Sequence, residues 1–497
     1  MNAVELRALS RKFGSVVAND AVDLTVRAGS IHAIVGENGA GKSTAMKLLF
    51  GMLRPDSGNI FVFGKKVAFR SPTDAMHLGI GMVHQHFMLA GPYSVLENIL
   101  LGTEGVGPFS RLKLSEAEAR IKELSERYSM PIDPHAAIED LPVGLQQRVE
   151  ILKLLYRDSK ILILDEPTAV LTPQEIEALF RNLRKLRDEG RTILIITHKL
   201  KEVLALSDEV TVLRHAKTAG TTATAQATLE SLAEWMVGRK VVLSVDAGKQ
   251  PPRGEPRMRV QKFLKGISFE VRSGEIVGIA GVEGNGQSEL LRSLLIPHGA
   301  SVEILGHDVR NWSASQIRQL EVGFFPEDRI RDGLILDDSV EHNLLLGHTR
   351  NPKWVSPLGV IREGVLSTVL RKAWHEFDLR PQQAGIAARG LSGGNQQKLV
   401  IAREFEHNPK LLVAAHPTRG VDVGAIEWIH RRLIEARNSG AGVLLVSSEL
   451  DEILALSDRI LVLFDQRIVA EFQRGEADSL AIGKAMSGAE MSGAEML

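Results

Sequence analysis

The 497-residue chain contains no cysteine, which excludes disulfide bonds and cysteine-ligated zinc sites. It also lacks an excess of one charge. Its 60 lysines and arginines face 61 aspartates and glutamates, so the charge count gives no indication of a nucleic-acid partner. No apolar run approaches the roughly 20 residues of a membrane-spanning helix, and the first residues, MNAVELRALSRKFG, lack the apolar core of a secretory signal. We therefore expect any work at a membrane to be done through partner subunits.

The most informative feature that the chain does have is an internal repeat. The block VRAGSIHAIVGENGAGKS begins at Val26 and VRSGEIVGIAGVEGNGQS begins at Val271, a period of about 245 residues. Three more pairs of blocks follow in the same order: SVLENILLG with SVEHNLLLG, LPVGLQQR with LSGGNQQK, and LSDEVTVL with LSDRILVL. The repeat predicts two tandem domains, residues 1–245 and 258–483. A Pro- and Gly-rich linker, 246–257, joins them, and a flexible tail, 484–497, follows.

Within each half, short apolar runs alternate with helical patterns. IHAIVG, ILIL at 161–164 and TILIIT at 192–197 are uninterrupted apolar runs, which is typical of parallel strands covered on both faces. Residues 86–140 are instead charged and mostly helical in pattern. The sequence therefore predicts an α/β fold with a helical subdomain inserted between sheet elements.

The first half carries a phosphate-binding motif. GENGAGKST matches the pattern G-x-x-x-x-G-K-[ST] between a predicted strand and a predicted helix. Its glycines allow backbone N–H groups to approach phosphate oxygens, Lys42 reaches the β and γ phosphates, and Ser43 offers a hydroxyl to Mg²⁺. The predicted ATP-binding residues of this loop are Gly36, Glu37, Asn38, Gly39, Ala40, Gly41, Lys42, Ser43 and Thr44.

A second chemical motif ends a buried strand. ILILDEPT places Asp165 and Glu166 at the carboxyl end of this strand. Asp165 can hold Mg²⁺ there, and Glu166 can accept a proton from the attacking water. A strand-end Asp–Glu pair can also belong to a plain solvated turn, but its place after a phosphate loop favours the catalytic interpretation.

The order of these motifs resembles that of ABC transporter ATPase domains. The phosphate loop, Gln85 in MVHQHF, the signature LPVGLQQ, DEPT and His198 follow the family pattern, and LSGGNQQ at 391–397 is a strong family signature. The resemblance covers nearly the whole chain, twice. It implies two tandem phosphate-loop NTPase domains, each with a mostly parallel core sheet, an antiparallel β part and the helical subdomain. In this family two domains pair head to tail, so that each ATP lies between one phosphate loop and the other signature. One chain supplies both domains here, so a second copy is not required.

The resemblance also implies roles for single residues. Phe13 stacks on adenine, Gln85 senses Mg²⁺ and water, and His198 contacts the γ-phosphate. The predicted catalytic residues are Glu166, His198 and Gln85, and the predicted Mg²⁺ ligands are Ser43, Asp165 and Gln85. On the signature side, the predicted ATP-binding residues are Ser392, Gly393, Gly394, Gln396 and, in the loop after AHPT, Asp422.

The second half departs from this pattern at the positions that carry the chemistry. The departures are Gln287 for Lys42, Glu289 for Thr44, Glu327 for Gln85, Ala415 for Asp165, His416 for Glu166 and Ser448 for His198. Its first segment is also shorter, without an aromatic residue to match Phe13. In the first signature, Pro142 stands where the second has Ser392, and it lacks both the hydroxyl and the backbone N–H.

In a head-to-tail pair, all these losses fall in the site built on the second phosphate loop. We therefore predict one catalytic site, formed by the first loop and the second signature, and one degenerate site. The loop of the degenerate site retains residues that can still hold nucleotide: Gly281, Gly284, Asn285, Gly286 and Ser288.

Finer motifs are similar to those of nucleoside importers. GVEGNGQSEL, PEDRIRDGL and AAHPTRGVDVGAIEWIH look like the second domain of that branch. Ribose- and galactose-type relatives usually keep an acidic residue in the second DEPT-like block, and they are the alternative. The implied partners are two transmembrane permease subunits and an extracytoplasmic binding protein, with the chain peripheral on the cytoplasmic face of the inner membrane. Residues 85–99 and 327–344 would contact the permeases.

Other classes fit the sequence less well. Tandem ABC ATPases that act on ribosomes usually keep both sites intact and carry a long charged linker. DNA-repair ABC ATPases insert cysteine zinc clusters, which this chain cannot form. The intact Glu166 and His198 argue against a non-hydrolysing scaffold. A metal site at HQH, 84–86, is disfavoured because Gln85 already has a family role.

Overall fold

The computed structural model describes residues 1–14, 16–85, 87–103, 114–168, 171–240, 247–282, 284–297, 301–421, 423–476 and 478–486. The chain divides into two compact units, Met1–Val241 and Val242–Leu497. Within the described ranges, no helix combines the length and the apolar character that crossing a membrane requires.

The first unit contains ten described strands and eight described helices. The strands are β1 (Asn2–Phe13), β2 (Val16–Arg27), β3 (Ile31–Gly36), β4 (Ser57–Val62), β5 (Lys65–Val67), β6 (Ile80–Val83), β7 (Ile161–Asp165), β8 (Thr192–Ile196), β9 (Glu209–Arg214) and β10 (Lys217–Ala223). The helices are α1 (Lys42–Leu49), α2 (Pro72–His77), α3 (Val95–Leu100), α4 (Leu114–Arg127), α5 (Val143–Tyr156), α6 (Pro173–Asp188), α7 (Leu200–Leu206) and α8 (Leu229–Val237).

These strands form two sheets. A six-stranded sheet has the order β10-β9-β3-β8-β7-β6, in which only the edge strand β10 pairs antiparallel. Alternate residues of β7 enter different cores: Ile161 and Ile163 pack towards α1 and the second sheet, and Leu162 and Leu164 pack towards α3, α5 and α6. Because both faces of the parallel sheet are covered, its strands are uninterrupted apolar runs. The second sheet is antiparallel, in the order β2-β1-β4-β5.

The second unit repeats this architecture. Its strands are β11 (Pro256–Phe263), β12 (Ile267–Arg272), β13 (Ile276–Ala280), β14 (Ser301–Ile304), β15 (His307–Asp308), β16 (Val322–Phe325), β17 (Leu411–Ala415), β18 (Gly442–Ser447), β19 (Arg459–Phe464) and β20 (Arg467–Gln473). Its helices are α9 (Gln287–Leu295), α10 (Ala314–Ile317), α11 (Val340–Leu345), α12 (Glu363–Glu376), α13 (Gly393–Phe405), α14 (Val423–Asn438), α15 (Leu450–Leu456) and α16 (Ser479–Met486). The sheet orders are β16-β17-β18-β13-β19-β20 and β12-β11-β14-β15.

The α/β fold and the inserted helical part are confirmed. Between β6 and β7 the described chain forms α3, α4, a 3₁₀ turn at Ile138–Asp140 and α5. The elements extend past two of the predicted domain limits. Strand β11 already begins at Pro256, inside the predicted linker, where a proline fits because the first residue of a strand need not donate to the ladder. Helix α16 continues to Met486, beyond residue 483. Residues 241–246 and the tail from 487 onward lie outside the described ranges.

Candidate functional site

The first phosphate loop joins β3 to α1. Gly41 is the N-cap of α1 with φ of 96°, and a Cβ there would collide with the backbone oxygen of Ala18. Only glycine combines this left-handed conformation with such a close approach. Asn19 of β2 is fully buried, and its amide donates to the Gly41 oxygen over 3.1 Å, which attaches the loop to that strand. The remaining predicted residues of the loop, Glu37, Asn38, Gly39 and Ala40, lie between β3 and α1, and Thr44 lies in the first turn of α1.

Lys42 is held inside this loop. Its Nζ donates to the backbone oxygens of Gly36 and Glu37 over 2.7 and 3.0 Å, and only 6% of the residue is exposed. Burial lowers the pKa of the Lys42 ammonium, and the carboxylates of Glu166 and Asp165 oppose that shift. The loop therefore presents a cation, at the start of a helix, to any phosphate that it binds.

Asp165, the last residue of β7, lies beside Ser43. The Ser43 hydroxyl donates to Oδ1 of Asp165 over 3.4 Å. Burial raises the pKa of the Asp165 carboxyl, and the hydrogen bond from Ser43 partly offsets the shift. A hydroxyl and a buried carboxylate are oxygen ligands of the kind Mg²⁺ takes, with the rest supplied by phosphates and water. The described residues hold no cluster of three or more His, Cys, Asp or Glu side chains able to bind a metal alone.

Glu166 and His198 form a second pair in the same unit. Nδ1 of His198 lies 2.8 Å from Oε1 of Glu166. Glu166 has a left-handed backbone, φ of 52°, and its N–H donates to the Ile196 oxygen over 2.9 Å. This unusual backbone turns the carboxylate out of the end of β7 and towards His198, the second residue after β8. A positioned carboxylate whose partner is an imidazole can act as a general base.

The other two predicted residues of this site lie at its edges. Gln85 is exposed two residues after β6. Among the described contacts, no hydrogen bond joins Gln85 to Ser43, Asp165 or Glu166. Phe13 ends β1 with 44% of its surface exposed, and the Arg11 guanidinium lies 5.0 Å from the ring centroid. An exposed aromatic ring at the end of a strand can stack on a base. The contact between Phe13 and adenine itself stays a prediction.

The described part of the second phosphate loop repeats two left-handed glycines of the first, Gly284 and Gly286 for Gly39 and Gly41, but its chemistry differs. Gln287 takes the place of Lys42, is equally buried, and donates from Nε2 to the Val282 oxygen over 3.0 Å. The neighbouring Ser288 donates to Oε1 of Glu327 over 3.0 Å. The serine of this loop thus keeps a carboxylate partner, but one from the end of β16 instead of β17. Gly281, Gly284, Asn285 and Gly286 complete this loop.

The end of β17 carries no acidic group. Ala415 is fully buried, and His416 has the same left-handed backbone, φ of 43°, as Glu166. The Ser448 N–H donates to Nδ1 of His416 over 3.3 Å. At this strand end the second unit thus repeats the left-handed backbone of the first and replaces its carboxylates.

The hairpin that precedes each phosphate loop also differs. Strands β1 and β2 have 12 residues each, whereas β11 has 8 and β12 has 6. The two phenylalanines of the shorter hairpin, Phe263 and Phe269, are each only 9% exposed and belong to the core. This hairpin offers no exposed aromatic ring in the place of Phe13.

The two signature helices begin differently. Ser392 caps α13, and its hydroxyl accepts from the N–H and the amide of Asn395. Pro142 stands at the same place before α5 and makes no such bond.

The other predicted residues of the second signature lie in or next to α13. Gln396 is buried and donates to the Ala388 oxygen over 3.2 Å, which anchors the signature loop. The contact of Gln396 with ATP stays a prediction. Gly393 and Gly394 form the first turn of α13, and Asp422 lies outside the described residues.

Sequence reasoning missed two buried asparagines. The Asn98 amide bonds the backbone of Ala90 through both its oxygen and its nitrogen, and Asn343 does the same for Ile335. Each closes the loop that follows Gln85 or Glu327. Both stand at the same place in the repeated blocks SVLENILLG and SVEHNLLLG. This repetition of asparagine is the sequence feature that could have pointed to them.

A phosphate loop with a buried lysine, next to a Ser–Asp pair and a Glu–His pair at the ends of parallel strands, defines a nucleoside-triphosphate-hydrolysing domain. The sheet topology occurs twice in the chain, but this set of side chains occurs only in the first unit. The sequence model of the ABC transporter family matches residues 19–169 and 264–419. The chain belongs to the ABC transporter family and is one of its ATP-binding, ATP-hydrolysing subunits.

Individual relatives resemble the chain over almost its full length. A nucleoside import ATP-binding protein of Lactococcus lactis is 46% identical over 477 residues, covering 94% of each chain. A guanosine import ATP-binding protein of Bacillus subtilis is 44% identical over 98% of this chain and 97% of its own length. A glucose import ATP-binding protein of Haloferax volcanii is also 44% identical, over 98% of this chain and 96% of its own.

Proposed function

We propose that the chain energises import of a nucleoside through a single ATP-hydrolysing site. This site combines the phosphate loop of the first unit with the signature of the second, whose parts are Ser392, Gly393, Gly394, Gln396 and Asp422. The observation that carries the proposal is the retention of Lys42, Asp165, Glu166 and His198 around one loop, while the other loop retains none of their charges.

In the working site, the side chains divide the chemistry. Lys42 binds the β and γ phosphates. Ser43, Asp165 and Gln85 hold Mg²⁺, which neutralises phosphate charge when bound. Glu166 takes the proton of the attacking water, and His198 orients Glu166 through their 2.8 Å contact and faces the γ-phosphate. Phe13 stacks on adenine.

In the degenerate site, nucleotide is held by backbone groups around Gly281, Gly284, Asn285 and Gly286, with Ser288. Hydrolysis does not occur there, because Gln287, Ala415 and His416 supply neither the cation, nor the metal carboxylate, nor the base. Losing one well-placed charged group costs on the order of 10²–10³ in rate, so losing three silences the site. Pro142 weakens the same site from the signature side.

The partners in this proposal are two transmembrane permease subunits, contacted through residues 85–99 and 327–344, and an extracytoplasmic binding protein. The chain lies on the cytoplasmic face of the inner membrane. Two relatives that import nucleosides or guanosine support the nucleoside assignment, and the glucose-importing relative makes a sugar the second candidate.

A reciprocal exchange in the two signatures tests the composite site. Ser392 has φ of −64° and the preceding Leu391 is extended, so Ser392→Pro fits the existing backbone. We expect Ser392→Pro to lower the ATPase kcat on the order of 10²-fold. Pro142→Ser is the matched control in the other signature and should leave kcat unchanged. Full activity of Ser392→Pro would contradict the proposal.

Uptake measurements test the substrate. Cells that carry the wild-type chain or Glu166→Gln are given labelled uridine, guanosine, ribose or glucose. We expect Glu166→Gln to abolish nucleoside uptake and to leave sugar uptake unchanged. Loss of ribose or glucose uptake with intact nucleoside uptake would replace the nucleoside assignment with the sugar alternative.

A further inference from the structure

The segment PEDRIRDG, which follows β16, has a fixed conformation in the second unit. Residues Arg329–Gly333 form a single π-helical turn. The Asp328 carboxylate caps this turn by accepting from the N–H groups of Ile330 and Arg331 over 2.9 and 3.1 Å. The backbone of the turn therefore directs Arg329 to one side, towards the rest of the unit.

Arg329 bridges loops that are distant in sequence. Its guanidinium donates to the backbone oxygen of Arg419 over 2.8 Å and approaches that of Gly420 at 3.5 Å, in the loop that follows β17. It also covers the start of the signature helix, because a Cβ on Gly393 would lie 2.8 Å from Nη2 of Arg329. Burial lowers the pKa of the Arg329 guanidinium. The two backbone oxygens satisfy two of the donors of this half-buried cation.

The same segment is joined to the far end of helix α13. Nη1 of Arg403, which is almost fully buried, donates to the Gly333 oxygen over 2.8 Å. The neighbouring Glu404 accepts from the Phe324 N–H in β16 over 3.0 Å. The far end of helix α13 is therefore hydrogen-bonded to the polypeptide around Glu327. At the signature end, the Arg329 guanidinium packs against Gly393.

The described part of the first unit lacks this connection. Phe87 occupies the position of Arg329, counted from the end of β6, and Val143 occupies that of Gly393. There the segment is joined to α5 by Glu150, whose carboxylate accepts from the Met88 N–H over 2.7 Å in the middle of the helix. The arginine and the glycine that admits it occur together only beside the signature LSGGNQQ, and not beside LPVGLQQ.

We propose that Arg329 is a positioning residue for ATP hydrolysis. It holds three parts of the second unit in one fixed arrangement. These are the signature start, Ser392 to Gly394, the loop after β17, and the segment PEDRIRDG that contains Glu327. This inference rests on the proposed composite site, in which the second unit gives its signature to the ATP bound by the first loop. Arg329 thereby acts on hydrolysis at Lys42 and Glu166 although it belongs to the unit with the degenerate loop.

The test compares Arg329→Ala and Arg329→Lys with a control variant in the full chain. The control is Arg310→Ala, which lies outside the segment 327–344 assigned to the permeases. Arg310 belongs to the same unit, is exposed, and pairs with the nearby Asp308. Small displacements of a positioned group can cost on the order of 10²-fold in rate. We expect Arg329→Ala to lower the ATPase kcat by about this factor. Arg329→Lys should give an intermediate kcat, because one ammonium cannot span both backbone oxygens as a guanidinium does.

Binding separates positioning from folding. We expect the affinity of a fluorescent ATP analogue for the Lys42 loop, and the midpoint of thermal unfolding, to stay at the wild-type values in Arg329→Ala. A kcat of Arg329→Ala equal to that of Arg310→Ala would overturn the inference. So would a loss of kcat accompanied by equal losses of affinity and thermal stability, because that pattern indicates a general structural role.

A failure of this inference is distinguishable from a failure of the composite site. If Ser392→Pro is inactive while Arg329→Ala is fully active, the positioning role is wrong and the composite site stands. If both variants are fully active, the composite site itself is wrong.

Discussion

The hydroxyl of Ser288 donates to Glu327 over 3.0 Å, whereas Ser43, at the same place in the first unit, donates to Asp165 over 3.4 Å. Each phosphate loop thus pairs its serine with a carboxylate, but the carboxylates come from different strands. In the second unit the negative charge occurs without the lysine that balances it in the first.

The Glu327 carboxylate beside the second phosphate loop predicts that removing its charge changes the nucleotide affinity of that loop. In a Lys42→Ala background, where the second loop is the remaining site, we expect Glu327→Gln to tighten Mg·ATP binding roughly tenfold, or 1.4 kcal/mol. The reason is the removal of a like charge beside the phosphates. Isothermal titration calorimetry gives the dissociation constant. Glu321→Gln, at the other end of β16, is the control, and equal affinities for both variants would contradict this prediction.

The Glu166–His198 contact predicts a large effect of His198→Ala. Without the imidazole, the base loses its orienting partner, and we expect the ATPase kcat to fall on the order of 10²- to 10³-fold. Ser448→Ala, at the equivalent position of the second unit, should leave kcat within experimental error. If the two variants are equally active, the imidazole has no part in catalysis.

The burial of one ion pair predicts that two equivalent substitutions, one in each unit, lower the unfolding free energy by different amounts. Asp458 and Arg437 are both fully buried and lie 2.9 Å apart, while the equivalent Asp208 and Arg187 are partly exposed at 3.1 Å. Asp458→Ala leaves a buried guanidinium without this partner and should cost about 3–5 kcal/mol of unfolding free energy. Asp208→Ala removes a more exposed pair and should cost less than half of that.

Urea unfolding followed by tryptophan fluorescence checks this difference, because four of the five tryptophans belong to the second unit. Equal losses of stability in the two variants would show that burial of the second pair has no energetic weight.

His348 predicts a pH dependence of stability. Burial and the neighbouring His407 lower the pKa of His348 to about 3, well below the value near 6.5 of the unfolded chain. The stability that neutral His348 contributes is thus fully present above about pH 6.5 and is lost as the pH falls towards about 3. Between about pH 7 and about pH 4 the loss of unfolding free energy is on the order of 2–3 kcal/mol.

Replacing His348 tests this dependence. His348→Phe should flatten it, as read from the urea midpoint by fluorescence. The exposed His375→Phe should not, and identical curves for the two variants would refute the assignment.

Much of the fold followed from the sequence. Strands β3, β7 and β8 were predictable because a strand covered on both faces must be apolar throughout, and all their residues are buried. The first phosphate loop was predictable because its glycines and Lys42 occur at a spacing that the phosphate dictates.

The partners of single side chains were not predictable in the same way. The bond from Ser288 to Glu327 depends on which strands are neighbours: β16 pairs with β17, and β17 ends at Ala415 instead of a carboxylate. The bond from Arg329 to Arg419 joins residues far apart in sequence, and no local periodicity encodes it. Such contacts arise from tertiary packing, which a single sequence does not reveal residue by residue.

The central claim is that one of the two phosphate loops hydrolyses ATP. The most direct measurement is the steady-state ATPase rate of the full chain with Glu166→Gln, which removes the base without changing its shape, beside Gln287→Ala in the second loop. We predict that Glu166→Gln abolishes hydrolysis and that Gln287→Ala leaves the rate close to wild type. Substantial hydrolysis by Glu166→Gln, or its loss in Gln287→Ala, would contradict the account.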